Sequence, residues 1–248
     1  MKWIESYRVK GSNMRIAIIS DVHANLAALE AIEEPYDLLF CLGDLVDYGT
    51  EPREAIRWVR ERALKVVRGN HDHALAYDAD CRCARVMREV SVTTRQWHSR
   101  LLSAEDKQYL HELPVADRIA VAGATFHLAH AAPDGNLYDY RIVPDAPEEF
   151  LREQIEGIDT DFILLGHTHL PMVRTIGKTT IVNPGSVGQP RHGDARASYA
   201  VWEDGAVSLC KVAYDVNRVT ALLKRAPLTL SVIIQLKTVL ESGGARVL

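Results

Sequence analysis

Short apolar runs separated by stretches of helical periodicity constrain this chain most. The segments "RIAIIS" (15–20), "YDLLFCL" (36–42) and "KVVRG" (65–69) read as strands, while "ANLAALEAIEE" (24–34) and "REAIRWVRERA" (53–63) carry apolar residues at helical spacing. This is a β-α-β-α-β start. Runs of this kind suit strands buried on both faces, and helical crossovers between them favour a partly parallel sheet. Polar motifs that follow such strands then gather along one sheet edge. The middle, from about Asp80 to Glu112, is helical in pattern, and "PVADRIAVAGATFHLAH" (114–130) reads as two strands joined around Ala122-Gly123. Runs at 161–166, 172–185, 197–202 and 207–214 form a turn-rich β half, and helices close the chain from about 215. The expected fold is α/β: a two-sheet mixed β-sandwich flanked by helices. Residues 1–13 read as an N-terminal extension and 14–248 as a single domain.

Composition excludes several classes of function. With 248 residues, 47% apolar and 25% charged, the chain can bury one large core. A net charge of −4 and the lack of any long basic run argue against a dedicated nucleic-acid surface or a membrane-surface binder. Cys41, Cys81, Cys83 and Cys210 are too few and too irregularly spaced for a disulfide framework, and "MKWIESYRVKGSN" has no apolar h-region. The expectation is a reduced, cytoplasmic protein. The late apolar stretch "LTLSVIIQLKTVL" is too short to span a bilayer and contains Lys237. Its apolar Leu230, Ile233, Ile234, Val239 and Leu240 are expected to pack on their own domain, with a homodimer contact as the alternative.

Five polar clusters sit at or just beyond the ends of expected strands: "SDVHAN" (20–25), "GDLVD" (43–47), "GNHDH" (69–73), "LAH" ending at His130, and "GHTH" (166–169). A lone Asp, Asn or His in such a place is an ordinary turn or cap residue. Five in order are not. Asp21, His23, Asp44, Asn70, His130, His167 and His169 offer imidazole, carboxylate and amide donors without a thiolate, a set suited to Mn, Fe, Zn, Co or Ni. Seven ligands exceed the needs of one tetrahedral ion. With one carboxylate bridging, they fit two divalent ions roughly 3.5–4 Å apart.

In this order the motifs "DVH", "GDLVD", "GNHD", His130 and "GHTH" resemble those of the calcineurin-like metallophosphoesterases, over roughly residues 15–212. The resemblance implies that family's two-sheet fold and a dimetal site at its strand ends. It further implies that Asp21, His23, Asp44 and His169 hold one ion, and Asp44, Asn70, His130 and His167 the other. His71 takes a place beside the leaving group, and Asp47 orients it. "NPGSVGQPR" (183–191) resembles a loop of the small prokaryotic phosphodiesterase branch.

The chemistry follows from the residue types. Two divalent ions, two carboxylates and a bridging hydroxide leave a centre of about +1, which attracts a small phosphate ester. A neutral Asn70 preserves that charge, and His71 on the same turn can offer a proton. The function expected is hydrolysis of phosphodiesters by a dimetal-bridged hydroxide. Alternatives are a phosphomonoesterase, protein phosphatase or dinucleotide polyphosphate hydrolase, whose motif would carry Arg where Tyr48 stands, and a non-catalytic scaffold of the same fold. Arg191 is the candidate for substrate contact, with a solvated loop position as its competitor. Asp47 competes as a cap for the helix near Glu51. His73 and His127 are expected to be structural or exposed, and "CRC" (81–83) to be two ordinary thiols at a helix start.

Overall fold

A computed structural model describes residues 14–244. The expected extension, 1–13, lies outside them, as do residues 245–248. In the first half β1 (Arg15–Ile19), α1 (Leu26–Glu30), β2 (Leu38–Cys41), α2 (Pro52–Arg62) and β3 (Lys65–Val66) follow the expected alternation. Three helices come next: α3 (Asn70–Tyr77), α4 (Arg88–Leu101) and α5 (Ala104–Glu112). The second half holds β4 (Ala116–Val121), β5 (Ala124–Ala129), α6 (Glu148–Gln154), β6 (Phe162–Leu164), β7 (Met172–Ile176), β8 (Thr179–Asn183), β9 (Ala197–Glu203) and β10 (Ala206–Val212). The C-terminal helices are α7 (Val216–Leu223) and α8 (Leu230–Ser242).

These strands form two mixed five-stranded sheets, ordered β10-β9-β1-β2-β3 and β4-β5-β6-β8-β7. Their inner faces pack together through one apolar layer. Ile16, Ile18, Phe40, Leu42, Ala200 and Trp202 of the first sheet meet Phe126, Leu128, Phe162, Leu164 and Val182 of the second. The Phe126 ring sits edge-on to both Phe40 and Trp202, with centroids 5.6 and 5.4 Å away. Alternate residues of the same strands, Ala17, Ile19, Leu39 and Cys41, point outward to Leu29, Ile56 and Val59 on α1 and α2. That double burial explains why the strands read as unbroken apolar runs rather than alternating ones. Each large side chain so buried contributes about 1.5–3 kcal/mol.

The first and second halves of the chain do not correspond to the two sheets. The hairpin β9–β10 returns to the first sheet and pairs antiparallel with β1, Ala17 opposite Val201. The free edge of β1 requires a partner, and chain-local patterning does not say which strand supplies it. Two elements are shorter than expected: α1 stops at Glu30, and β3 holds only Lys65 and Val66. The tail packs mainly on its own domain. Val232, Leu236 and Leu240 join Tyr48, Met87 and Val90 in a helical layer, while Leu230 and Ile234 are exposed. Cys41, Cys81, Cys83 and Cys210 are all free, and no helix among the described residues is long and apolar enough to cross a membrane.

Candidate metal centre

Strand direction decides where the polar clusters meet. β1, β2 and β3 run parallel, as do β5 and β6, so the residues after their carboxyl ends converge at one end of the sandwich. Asp21 and His23 follow β1, Asp44 and Asp47 follow β2, Asn70 follows β3, His130 follows β5, and His167 and His169 follow β6. Tight turns are required to aim them inward. Of twelve non-glycine residues with positive φ among the described residues, eight lie here: Asp21, His23, Ala24, Asp44, Asp47, Tyr48, His167 and His169. Such conformations cost about 1–3 kcal/mol each and persist only where the surroundings enforce them. Gly69 shows how tight the packing is, since a Cβ there would lie 2.0 Å from Asp44 Oδ1.

The seven expected ligands come together, all buried. Asp21, His23 and His169 form one group and Asp44, His130 and His167 another, with the donor atoms of each within 4.8 Å of one another. The Nδ1 atoms of His23 and His169 donate to the carbonyls of Val46 (2.9 Å) and Gln189 (2.6 Å). Their Nε2 lone pairs therefore face each other, 3.3 Å apart, with Asp21 Oδ1 3.3 Å from His169. In the second group His130 donates from Nδ1 to Leu42 at 2.7 Å, and its Nε2 lies 3.2 Å from Asp44 Oδ2 and 3.1 Å from Asn70 Oδ1. The Asn70 amide is oriented by its bond to the Cys81 carbonyl at 2.7 Å, and Oδ1 also meets His167 Nδ1 at 3.0 Å. The His167 Nε2 is buried without a hydrogen-bond partner. Four imidazoles, two carboxylates and an amide oxygen converge here with His167 Nε2 left unpartnered, and that ligand set fits divalent metal.

Electrostatics agree. Burial, then the charge on Asp44 beside it, pushes the Asp21 carboxyl up to about 6. For Asp44 burial works in the same direction, but His130 and His71 prevail and hold it well below the usual carboxylate range. Burial keeps His23, His167 and His169 well below the usual imidazole value and thus neutral, the form that ligates. His130 is pushed up to about 9, burial opposing and Asp44 prevailing.

Asp47 does not cap the helix near Glu51. Its Oδ2 lies 2.7 Å from His71 Nδ1, and α2 has Glu51 as its N-cap and begins with Pro52. The other ring nitrogen of His71 is 3.3 Å from the Tyr48 hydroxyl. Arg191 is not solvated: it is 6% exposed, bonds Gln189 Oε1 and lies 5.8 Å from the Tyr48 ring centroid. His127 is structural, bonding the Pro133 carbonyl at 2.7 Å, and His73 stacks on Tyr77. Cys81 is buried against Ser91 Oγ at 3.1 Å and precedes the helical segment.

Sequence reading missed Asp72, although it closes the "GNHD" motif. Its carboxylate accepts the backbone N–H groups of Asp44 (2.7 Å), Leu45 (2.7 Å) and Gly69 (3.0 Å), tying together the two turns that carry Asp44 and Asn70. Asp72→Ala would leave three buried N–H groups unpaired. It is expected to cost about 3 kcal/mol and lower Tm by roughly 6–12 °C, and a calorimetric loss under about 1 kcal/mol would contradict this role. Tyr140, centred 3.9 Å from the His167 ring, was also missed, because nothing in its sequence neighbourhood marks it.

Comparison with known proteins agrees with this geometry. The family model described as the calcineurin-like phosphoesterase superfamily domain matches residues 14–204. A metallophosphoesterase from Sphaerobacter thermophilus superposes with a TM-score of 0.73 at 34% identity, covering 94% of this chain and 100% of its own. A hypothetical protein from Pyrococcus horikoshii shares the fold, with a TM-score of 0.79 at 21% identity over 94% of this chain and 99% of that one. Phosphodiesterase YfcE of Escherichia coli K12 is 26% identical over 211 residues, which is 79% of this chain and 91% of YfcE.

Proposed function

The chain belongs to the calcineurin-like phosphoesterase superfamily, and from that membership we propose that it is a dinuclear metal-dependent phosphodiesterase acting on a small phosphate ester. Asp21, His23, Asp44 and His169 would hold one ion, and Asp44, Asn70, His130 and His167 the other, with Asp44 shared. Manganese and the other divalent transition metals suit this donor set. When bound, two such ions lower the pKa of coordinated water toward 7 and offset charge on the phosphoryl oxygens.

The observation that carries the proposal is the convergence of these seven buried ligand groups beside an intact Asp47–His71 pair. Asp47 fixes the His71 ring through Nδ1, leaving Nε2 to face the pocket. Burial opposes a charge on His71, but Asp44 and the Asp47 bond prevail and hold its pKa well above the usual imidazole value. The role proposed for the ring is to give a proton to the departing oxygen. A non-catalytic scaffold has no need of this pair. Arg191 and the neutral phenol of Tyr48 would meet the phosphate, and the free cysteines accord with a cytoplasmic setting.

A preference for diesters rests on position 48. Burial raises the Tyr48 pKa well above that of free phenol, so it offers a neutral hydrogen bond where a monoester's second charge would call for a cation. Bis-p-nitrophenyl phosphate is expected to exceed p-nitrophenyl phosphate in kcat/KM by about 10-fold or more, and Tyr48→Arg to narrow that ratio. Measurement with Mn, Ni, Co, Zn and Mg, alongside metal content, tests the reading. A monoester preference with every metal would overturn it.

A further inference from the structure

One stripe of α4 carries four polar residues at helical spacing, Ser91, Thr94, Arg95 and His98, and all four converge on the three residues Asp47-Tyr48-Gly49. Ser91 Oγ donates to Asp47 Oδ2 at 3.1 Å, and Arg95 Nη1 lies 3.4 Å from the same oxygen. Thr94 Oγ1 accepts the Tyr48 N–H at 3.1 Å while donating to the Val90 carbonyl at 2.8 Å. His98 Nδ1 accepts the Asp47 N–H at 3.1 Å, so its Nε2 carries the proton and donates to the Gly49 carbonyl at 3.0 Å. Ser91, Thr94 and His98 are fully buried, and the Arg95 side chain is 14% exposed.

Packing alone does not account for this stripe. A helix face turned to the interior is ordinarily apolar, and each buried polar group needs a partner. Here each of the four has a partner on one three-residue segment, in which Asp47 and Tyr48 both adopt left-handed backbone, at φ +66° and +67°. Asp adopts that conformation occasionally and Tyr rarely, and two in succession require outside enforcement. The backbone bonds from Thr94 and His98 supply it. Ser91 and Arg95 then fix the carboxylate that the backbone presents. A nearly buried guanidinium demands an anionic partner, and Asp47 is the one its salt bridge reaches.

We infer that α4 positions the proton donor of this site, with Ser91 and Arg95 as positioning residues that hold the Asp47 carboxylate against His71. This rests on the reading of His71 given above. Held on Oδ2 by Ser91 and Arg95, the carboxylate meets His71 Nδ1 at 2.7 Å and stops the ring from turning. Its Nε2 stays aimed at the Tyr48 hydroxyl and toward Asp44 Oδ2, 4.0 Å away. Neither α4 residue touches the expected metal ligands directly. Their loss should act on proton delivery alone.

The test compares Arg95→Met, Arg95→Lys, Ser91→Ala, His71→Ala and the double variant His71→Ala/Arg95→Met on two aryl phosphodiesters, one leaving as p-nitrophenol and one as phenol. Metal content, kcat and KM are measured for each. Arg95→Met is expected to lose about 10-fold in kcat on the phenyl ester and less than about 3-fold on the nitrophenyl ester, with KM and metal content within about 2-fold of wild type. Arg95→Lys should recover most of that loss. In the His71→Ala background, adding Arg95→Met should change kcat by less than about 2-fold, because the residue acts through His71. Equal losses on the two esters, or losses that add in the double variant, would overturn the inference while leaving the His71 reading intact. Absence of leaving-group dependence in His71→Ala itself would overturn both. If Arg95→Met fails to fold, Ser91→Ala removes a single hydroxyl and carries the same comparison.

Discussion

Asp44→Ala is expected to yield a folded chain that retains neither metal ion and turns over phosphodiesters at least about 10⁴-fold more slowly. The carboxylate lies between the two ligand groups: Oδ2 is 3.2 Å from His130 Nε2 on one side and 3.8 Å from His23 Nε2 on the other. Asp21 reaches both groups less evenly, its Oδ1 being 3.3 Å from His169 Nε2 and 4.0 Å from His130 Nε2. The Asp44 Oδ1 also accepts the His71 backbone N–H at 2.9 Å, so the substitution should also loosen the turn that carries His71. His169→Ala is the contrasting variant, since it removes a ligand of one group only and should spare partial occupancy at the Asn70 side. Elemental analysis decides the matter. Two metals per chain in purified Asp44→Ala would rule out a bridging role.

His71→Ala should keep both ions yet lose roughly 10²–10⁴-fold in kcat on esters with poor leaving groups. Its imidazole is bonded by Asp47 at 2.7 Å, and no ring atom belongs to either ligand group. A phenoxide or alkoxide departs slowly without a proton, whereas p-nitrophenoxide needs little help. The deficit should therefore shrink sharply with the nitrophenyl ester. A uniform loss on both kinds of ester, with metal content unchanged, would mean that His71 serves the site in another way.

Much of the site was legible because its parts are local. "DVH", "GDLVD", "GNHD" and "GHTH" each combine a strand end, a turn and donor side chains within a few residues, and the parallel strands they follow dictate one shared edge. Asp47 illustrates the limit. The same Asp three residues after Asp44 reads equally as a helix cap or as a partner of His71, and only a contact 24 residues away in sequence separates the two. Arg191 is similar: a Pro/Gly-rich loop suggests solvent, but the fold buries it beside Tyr48.

Sequence alone determined the strand and helix alternation, the two-sheet class, and the candidate ligand residues and their order, because apolar periodicity and turn chemistry act over a few neighbouring residues. Tertiary structure alone decided which sheet takes β9–β10, how Asp21 comes to accept the backbone N–H of His167 across 146 residues, and why α4 carries buried polar side chains. It also decided the eight left-handed conformations in the turns around this site. Those depend on bonds closed between distant segments, whose geometry is set by the packing of the whole sandwich and leaves no periodic trace in the chain.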